Sequence, residues 1–343
     1  MTSSRNLGLN SANSSSTPLA TGLPRSPRFI QVDQADHAAA RQELIDGLSS
    51  VAAHTSPKFL YDALGSRLFE AITELDEYYP TRTEAQILKR HAAAMAKSMG
   101  DIGTLVDLGA GNCAKAMGLM NTLTPQRYVA VDISVDFLQE SLRTVQRAHP
   151  ALEVIGVGQD FSKSLQLPAD TLQGRPVFFY PGSSIGNFTP VQALSFLTGV
   201  QEQSRAQTEP GGLLIGIDLV KATEVLQPAY DDALGVTAAF NLNVLLHLNR
   251  LIGSDFSPRD WQHVALFNTE RSRVEMHLQA RRALDVTWPS GTRRFEAGER
   301  LHTENSYKYT ADGFATLLNA AGFKNSQRWL DDKGWFAVFW AQS

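Results

Sequence analysis

The sequence has little cysteine, little charge and no long apolar run, and each shortage excludes a class of protein. Cys113 is the single cysteine among 343 residues, so an intramolecular disulfide and a cysteine-based metal cluster are excluded. Charged residues make up 19% of the chain and the formal net charge is -4, which lacks the basic excess typical of nucleic-acid-binding domains. No apolar run approaches the roughly 18 residues of a membrane-spanning helix. We therefore expect a cytoplasmic protein that acts on a small molecule, with neither nucleic acid nor membrane as a partner.

Composition and pattern divide the chain into a tail, an α/β unit and an insertion. Residues 1–28 are rich in Ser, Asn, Thr, Gly and Pro without apolar periodicity, and we expect them to be disordered. Short apolar runs alternate with helical patterns over residues 29–218 and again over 309–343, which predicts a sheet with helices on both faces. Residues 219–308 interrupt this alternation and predict an inserted α+β lid that binds the substrate.

The stretch TLVDLGAGNCAKAMGLMNT, which begins at Thr104, has the pattern of a strand, a tight glycine turn and a helix. The strand ends at Gly109-Ala110-Gly111, where missing side chains allow a sharp turn and a close approach of a ligand. The next strand ends on Asp132, whose carboxylate can accept hydrogen bonds from two ribose hydroxyls. The pattern fits NAD as well, because glycines followed about 20 residues later by an acid also form the dinucleotide fingerprint.

Acidic residues at neighbouring strand ends favour S-adenosylmethionine (SAM) over NAD. Asp107 directly precedes the glycine turn, where a carboxylate suits a cationic ligand and would repel a pyrophosphate. The strand that begins at Glu153 ends near Asp160 and Phe161, which are placed to hold an adenine amino group and its ring. Acids at three successive strand ends resemble the SAM site of class I methyltransferases. We therefore predict a Rossmann-like sheet of that class and a SAM co-substrate.

Two later segments carry polar side chains that suit a methyl acceptor. Asn187 follows the apolar strand PVFFY and can offer both a donor and an acceptor to an amine or a carboxylate. In LHTENSYKY, successive side chains of the predicted strand point to opposite faces, so Glu304 and Ser306 lie on the same side. There they can bind an imidazole N–H. The alternatives are a capping role for Asn187 and an exposed, charged edge strand around Glu304.

The insertion begins with a helical pattern that runs from Lys221 to about Leu251. Tyr230, Thr237 and Asn241 are spaced i, i+7 and i+11, which would place them on one face of a helix. This polar stripe is either a solvated face or part of a binding surface.

Several long strings, taken together, are similar to one enzyme family. They are, in order, FLYDALGSRLFEAITELDEYYPTRTEAQIL, FFYPGSSIGNFTP, AYDDALGVTAAFNLNVL, VEMHL and TENSYKY. They resemble the L-histidine Nα-methyltransferases of ergothioneine biosynthesis, and the likeness extends from about Pro57 to the C-terminus. The resemblance implies an enzyme that transfers three methyl groups from SAM to the α-amine of histidine, giving the betaine hercynine.

The resemblance also implies which residues bind the cofactor. These would be Asp107, Gly109, Gly111, Lys115, Asp132, Asp160, Phe161 and Tyr180. Gly109 and Lys115 would contact the methionine part, Asp132 the ribose, and Asp160 with Phe161 the adenine. The glycine loop departs from the expected Ser- or Thr-rich version at Cys113.

The histidine-binding residues implied by the resemblance come from segments far apart in the sequence. These would be Tyr61, Phe69, Tyr78, Asn187, Tyr230, Met276, Glu304 and Ser306. Tyr61 would lie beside the amine, with Phe69 nearby, and Asn187 and Tyr230 would hold the carboxylate and orient the amine. Tyr78, Glu304 and Ser306 would bind the imidazole, and Met276 would pack against it. Tyr61 and Asn187 are the predicted catalytic residues.

Three other interpretations stay open at this point. The enzyme could methylate another free amino acid such as tryptophan, the chain could be a non-catalytic SAM-binding module, or it could be an NAD oxidoreductase. For the histidine methyltransferase we expect a monomer with no bound metal.

Overall fold

A twisted sheet of eight strands crosses the centre of the protein. The computed structural model describes residues 25–32, 37–162 and 164–343, so residues 1–24 of the predicted tail lie outside the described residues. The strands are β1 (Arg28–Gln31), β2 (Thr104–Leu108), β3 (Arg127–Asp132), β4 (Glu153–Gly158), β5 (Pro176–Tyr180), β6 (Gly212–Asp218), β7 (Trp261–Asn268), β8 (Arg273–Ala280), β9 (Leu284–Trp288), β10 (Gly291–Phe295), β11 (Arg300–Tyr307), β12 (Lys324–Leu330) and β13 (Phe336–Gln342). The α-helices are α1 (His37–Ser49), α2 (Ala63–Thr73), α3 (Tyr79–Met99), α4 (Ala114–Leu123), α5 (Val135–Ala148), α6 (Pro190–Arg205), α7 (Thr223–Leu226), α8 (Val236–Ile252) and α9 (Ala311–Ala320).

The central sheet has the strand order β1-β4-β3-β2-β5-β6-β13-β12. Strands β1 to β6 run parallel, whereas β13 is antiparallel to both of its neighbours. Helices α3, α4 and α5 pack on one face of the sheet, and α6 and α9 pack on the other. The predicted α/β fold with helices on both faces is therefore confirmed. In the part of the chain that the structure describes, no helix has the length and apolar character needed to cross a membrane.

Strand β5 shows why the parallel strands are apolar at every position. Val177 and Phe179 pack into the core on one face, and Phe178 and Tyr180 pack into the core on the other. Because helices cover both faces of the sheet, apolar and polar residues do not alternate along this strand, as expected for parallel strands. The carboxyl ends of such strands meet at one edge of the sheet, which is where ligands bind in open α/β folds.

The inserted segment forms a three-stranded antiparallel sheet in the order β11-β8-β7, beside the pair β9 and β10. Antiparallel strands thus form the β part of the predicted α+β insertion. The register places Glu304 opposite Met276 and Ser306 opposite Val274. The insertion packs with the N-terminal segment in one hydrophobic cluster, which includes Leu60, Tyr78 and Phe240.

The predicted helix from Lys221 to Leu251 is wrong as a single element. The chain forms the short helix α7, then a turn that contains Pro228 and Tyr230, and then α8. Proline lacks an N–H and blocks helix propagation, and Gly235 has a left-handed φ of 74°. Asp232 restarts the helix by accepting the N–H groups of Val236 and Thr237 at 3.0 and 2.7 Å. Tyr230 therefore does not share a helix face with Thr237.

Candidate active site

The turn after β2 has a backbone conformation that requires glycine. Gly109 and Gly111 have φ angles of 68° and 52°, and no described atom lies within 4 Å of a Cβ position on Gly111. Cys113 follows with φ 60° and a buried side chain. Burial raises the pKa of the Cys113 thiol to about 12, so this residue fills space and is not a nucleophile. The predicted turn is present, with its backbone open toward a ligand.

Asp107 is a buried carboxylate directly before this turn. Tyr128 donates its hydroxyl to Asp107 Oδ2 at 2.7 Å, whereas the buried Oδ1 has no hydrogen-bond partner among the described residues. Burial raises the pKa of Asp107 to about 7, against the lowering effect of Tyr128. A buried acceptor without a partner is costly, and a cationic or N–H-bearing ligand group would satisfy it. SAM carries such groups, so this residue fits the predicted co-substrate.

Asp132 ends strand β3 and ties the glycine turn to the following helix. Its two carboxylate oxygens accept the N–H groups of Gly111 at 2.9 Å and Ser134 at 2.8 Å. A carboxylate has about four acceptor positions, so capacity remains for ribose hydroxyls. Burial raises the pKa of Asp132, although these backbone N–H groups oppose the shift.

Lys115 in the first turn of α4 forms an ion pair that the sequence did not indicate. Its Nζ lies 2.6 Å from Glu84 Oε2, and Glu84 also accepts the N–H of Gly182 at 2.8 Å. Glu84 is fully buried, while the Lys115 side chain keeps 29% of its surface exposed. The lysine thus neutralises a buried acid that fixes the turn after β5, and its predicted contact with the methionine part of SAM stays a prediction.

Asp160 lies after β4 and is held by charged and polar partners. Its Oδ2 accepts a hydrogen bond from Lys58 at 3.0 Å, and Oδ1 accepts from the backbone N–H of Ser162 at 3.0 Å. Burial alone would raise the pKa of Asp160, but Ser162 and Lys58 outweigh it and hold the pKa below its ordinary value. Lys58 belongs to the 3-10 helix Pro57–Leu60. The sequence did not indicate that Lys58 is part of the site.

Phe161 belongs to an aromatic cluster under the glycine turn. Its ring centroid lies 5.9 Å from those of Tyr180 and Phe196, and a Cβ on Gly109 would lie 3.8 Å from its ring. Tyr180 is buried at the end of β5. An apolar aromatic wall beside the turn is suited to a flat heterocycle such as adenine.

A cavity next to this edge of the sheet brings together all eight predicted histidine-binding residues. Its lining consists of Tyr61, Phe69, Ile72, Tyr78, Gly182, Ser183, Ser184, Asn187, Ala229, Tyr230, Thr237, Phe240, Met276, Glu304 and Ser306. Asn187 reaches it from the 3-10 helix Ser184–Asn187 that follows β5. The other predicted members come from three separate regions: the segment around α2, the turn before α8, and strands β8 and β11. The structure therefore places the predicted set at one site, while the role of each member stays a prediction.

One wall of the cavity is aromatic. The centroids of Tyr61 and Phe69 are 5.5 Å apart, and Tyr61 lies equally close to Phe240. The rings of Tyr78 and Tyr230 continue the wall at a centroid distance of 6.3 Å. Burial raises the pKa of all three tyrosines well above the usual value, so at neutral pH they are uncharged phenols and not bases. Aromatic faces of this kind stabilise an organic cation without a carboxylate.

Glu304 adds an acidic group to the lining. It is 7% exposed, and its Oε2 is buried with no hydrogen-bond partner in the described part of the chain. Burial raises the pKa of Glu304 to about 7, although Lys308 opposes the shift. An acceptor left unpaired inside a cavity indicates a ligand with an N–H or O–H donor at that position.

Tyr230 and Ser306 are joined behind the cavity by a buried lysine. Their hydroxyl oxygens are 2.8 Å apart, and Lys308 Nζ donates to Tyr230 at 2.8 Å and to Ser306 at 2.9 Å. The third donor of Lys308 reaches Asp218 Oδ2 at 2.7 Å. Burial favours a raised pKa for Asp218, but Lys308 and Lys221 outweigh it and hold the pKa below its ordinary value. Lys308 was absent from the predicted site, although it follows Glu304 and Ser306 at the same two-residue spacing.

Two contacts connect the cavity to the cofactor residues. The Ser134 backbone N–H donates to Asp132, and the Ser134 hydroxyl donates to the Tyr61 carbonyl oxygen at 3.0 Å. Gly182 lines the cavity, and a Cβ on it would lie 3.1 Å from Lys115 Nζ. The cavity and the glycine turn are therefore adjacent parts of one site.

Comparisons with known proteins agree with this geometry. Residues 40–343 match the family described as "Histidine-specific methyltransferase, SAM-dependent". The histidine N-alpha-methyltransferase of Mycobacterium tuberculosis is 38% identical over 314 residues, which covers 89% of this chain and 95% of that protein. The protein of the same name from Mycolicibacterium smegmatis is 37% identical over 318 residues, with 90% and 96% covered. The chain belongs to the family of histidine-specific, SAM-dependent methyltransferases.

Proposed function

We propose that this protein transfers three methyl groups from SAM to the α-amino group of L-histidine and so produces hercynine for ergothioneine biosynthesis. The supporting observation is the cavity that joins Asn187, Tyr230 and Glu304 beside the glycine turn. A free amino acid has a carboxylate, an amine and a side chain to fix, and the lining of this cavity contains several polar groups that can bind them. The relatives named histidine N-alpha-methyltransferase support the same substrate.

In this proposal the ring and the carboxylate of histidine bind to different groups. Glu304 Oε2, which has no partner among the described residues, accepts an imidazole N–H, and Ser306 binds the ring beside it. Asn187 and Tyr230 hold the carboxylate, while Met276 packs against the ring. With both ends fixed, the amine has one orientation, and positioning of this kind is the main contribution an enzyme makes to a transfer between two bound molecules.

On the cofactor side, SAM supplies an activated methyl group on a sulfonium. Asp107, Asp132 and Asp160 are the residues that would hold its charged and hydroxyl-bearing parts, and Phe161 with Tyr180 would form the apolar wall for its adenine. Tyr61 stays a neutral phenol beside the amine because burial raises its pKa. Its proposed catalytic role is therefore to orient the amine by hydrogen bonding, and the proton leaves to solvent. The aromatic wall then accommodates the permanent positive charge of the product.

A mass spectrum of the product tests this proposal. The purified protein is incubated with SAM and an equimolar mixture of the common amino acids, and the products are identified by mass. We expect a gain of three methyl groups on histidine alone. Methylation of tryptophan instead would favour the alternative acceptor, and the absence of any methylated product would favour a non-catalytic SAM-binding module. A monomeric state and a cytoplasmic location stay predictions.

A further inference from the structure

A buried charged network lies directly behind the cavity and reaches it through two hydroxyl groups. Lys308 is 3% exposed and Asp218 is 1% exposed. Asp218 also binds Lys221 Nζ at 2.5 Å and accepts the Tyr79 hydroxyl at 2.7 Å. Two lysines thus share one carboxylate, and one of them, Lys308, also contacts the Tyr230 hydroxyl. Removing charged groups from water is costly, so a buried ion pair is weak evidence for a role in stability.

Counting protons shows what Lys308 does to the two hydroxyls. Its three donors are used by Asp218, Tyr230 and Ser306. Tyr230 and Ser306 each accept one of these bonds, and one of the two donates to the other. Whichever donates, the pair then has one O–H donor and one lone pair left. Both residues line the cavity, so these two remaining positions are available to a ligand.

We propose that Lys308 is a positioning residue that converts Tyr230 and Ser306 into one donor and one acceptor, matched to a carboxylate and a ring N–H of the same ligand. This inference rests on the proposed assignment of the cavity to histidine. With Ser306 donating to Tyr230, the Tyr230 proton points to the carboxylate, and the Ser306 lone pair points to the ring N–H that Glu304 does not bind, so the bound imidazole carries both of its N–H protons. The Lys308 ammonium, 4.8 Å from the Tyr230 ring centroid, adds positive potential on the carboxylate side.

Without Lys308, the Tyr230 and Ser306 hydroxyls lose the two hydrogen bonds that leave the pair with one donor and one acceptor. Each could donate or accept, and the positive potential behind Tyr230 would be gone. The loss should weaken histidine binding more than SAM binding, because the network touches the cavity and not the glycine turn. It should also be smaller for a ligand that has the ring and the amine but no carboxylate, such as histamine.

Lys308→Met tests the proposal, with Lys221→Met as the matched control. Lys221 is also buried and also bound to Asp218, but its other hydrogen bonds go to Tyr79 and the Leu219 carbonyl oxygen, outside the cavity lining. Isothermal titration with histidine and with histamine is performed in the presence of S-adenosylhomocysteine, and the melting temperature is recorded for each variant. We expect K308M to weaken histidine binding roughly ten- to a hundredfold and histamine binding much less, with near-normal S-adenosylhomocysteine affinity. K221M should lower the melting temperature but keep the histidine affinity near that of the parent protein.

Two results would overturn the inference, and both differ from a failure of the proposed function. If K308M and K221M lose histidine affinity equally, or if K308M weakens histidine and histamine binding by the same factor, Lys308 has only a structural role. If the parent protein itself does not methylate histidine, the proposed function fails instead. Should K308M not fold, Lys308→Gln keeps an amide donor but removes the charge, and the same comparison of histidine with histamine applies.

Discussion

The hydroxyl oxygens of Tyr230 and Ser306 lie 2.8 Å apart, although the two residues are 76 positions apart in the sequence. We assigned Tyr230 to the carboxylate of histidine and Ser306 to its ring. Under these proposed assignments, the groups that bind the two ends of the substrate meet at this pair.

Replacing Glu304 with alanine should remove most of the affinity for histidine. Glu304 is a buried acceptor with an oxygen left for a ligand, and a hydrogen bond to a charged group contributes about 1.5 to 3 kcal/mol. Calorimetric titration of histidine in the presence of S-adenosylhomocysteine measures the loss, and SAM binding should be unaffected. Asn305→Ala is the control, because Asn305 is on the same strand but bonds to His302. Unchanged histidine binding in E304A would refute the assignment.

Replacing Glu304 with glutamine should also change how stability depends on pH. The pKa of Glu304 is raised from 4.5 to about 7. Between pH 4.5 and pH 7, Glu304 is therefore protonated in the folded protein but ionised in the unfolded chain. The stability of the ligand-free protein contributed by this group therefore falls as pH rises from about 4.5 to 7. We expect E304Q to match the parent protein near pH 4.5 and to exceed it by about 3 kcal/mol above pH 7. Urea titrations at several pH values test this, and a difference that does not change with pH would contradict it.

Replacing Asp132 with asparagine should weaken SAM binding. The carboxylate fixes the Gly111 and Ser134 N–H groups and keeps acceptor positions for ribose hydroxyls. The loss of charge-assisted hydrogen bonds should lower the affinity by roughly ten- to a hundredfold. Fluorescence or calorimetric titration with SAM gives the value. Asp136→Asn is the control, because Asp136 is exposed on α5. If both variants bind SAM normally, Asp132 is not part of the cofactor site.

Replacing Gly65 with alanine should disturb the segment that carries Tyr61. A Cβ on Gly65 would lie 1.8 Å from the Leu60 carbonyl oxygen, so the turn before α2 must shift. We expect the free energy of unfolding to fall by about 1 to 3 kcal/mol and histidine turnover to fall with it. Gly118→Ala is the matched control, because no described atom beyond the neighbouring residues and the backbone of its own helix lies within 4 Å of a Cβ there. That change should be neutral or stabilising by about 0.5 to 1 kcal/mol. Normal turnover in G65A would show that the position of Tyr61 matters little.

The parts of the site that the residues alone predicted depend on local pattern, whereas the set drawn from distant segments was implied by the family resemblance. The glycine turn, the acid at the end of β3 and the two-residue spacing of Glu304 and Ser306 are readable from neighbouring positions. The proposed helix around Tyr230 failed because Pro228 and the Asp232 cap override the apolar periodicity. Contacts between distant positions have no such signal. The ion pair of Lys308 with Asp218 joins residues 90 positions apart, and nothing in either segment indicates it.

A crystal structure with histidine and S-adenosylhomocysteine tests the central claim most directly. We predict that the imidazole contacts Glu304 Oε2, that the carboxylate contacts Asn187 and Tyr230, and that the amine faces the cofactor sulfur. A complex in which histidine lies outside this cavity, or in which Glu304 Oε2 remains without a partner, would contradict the account.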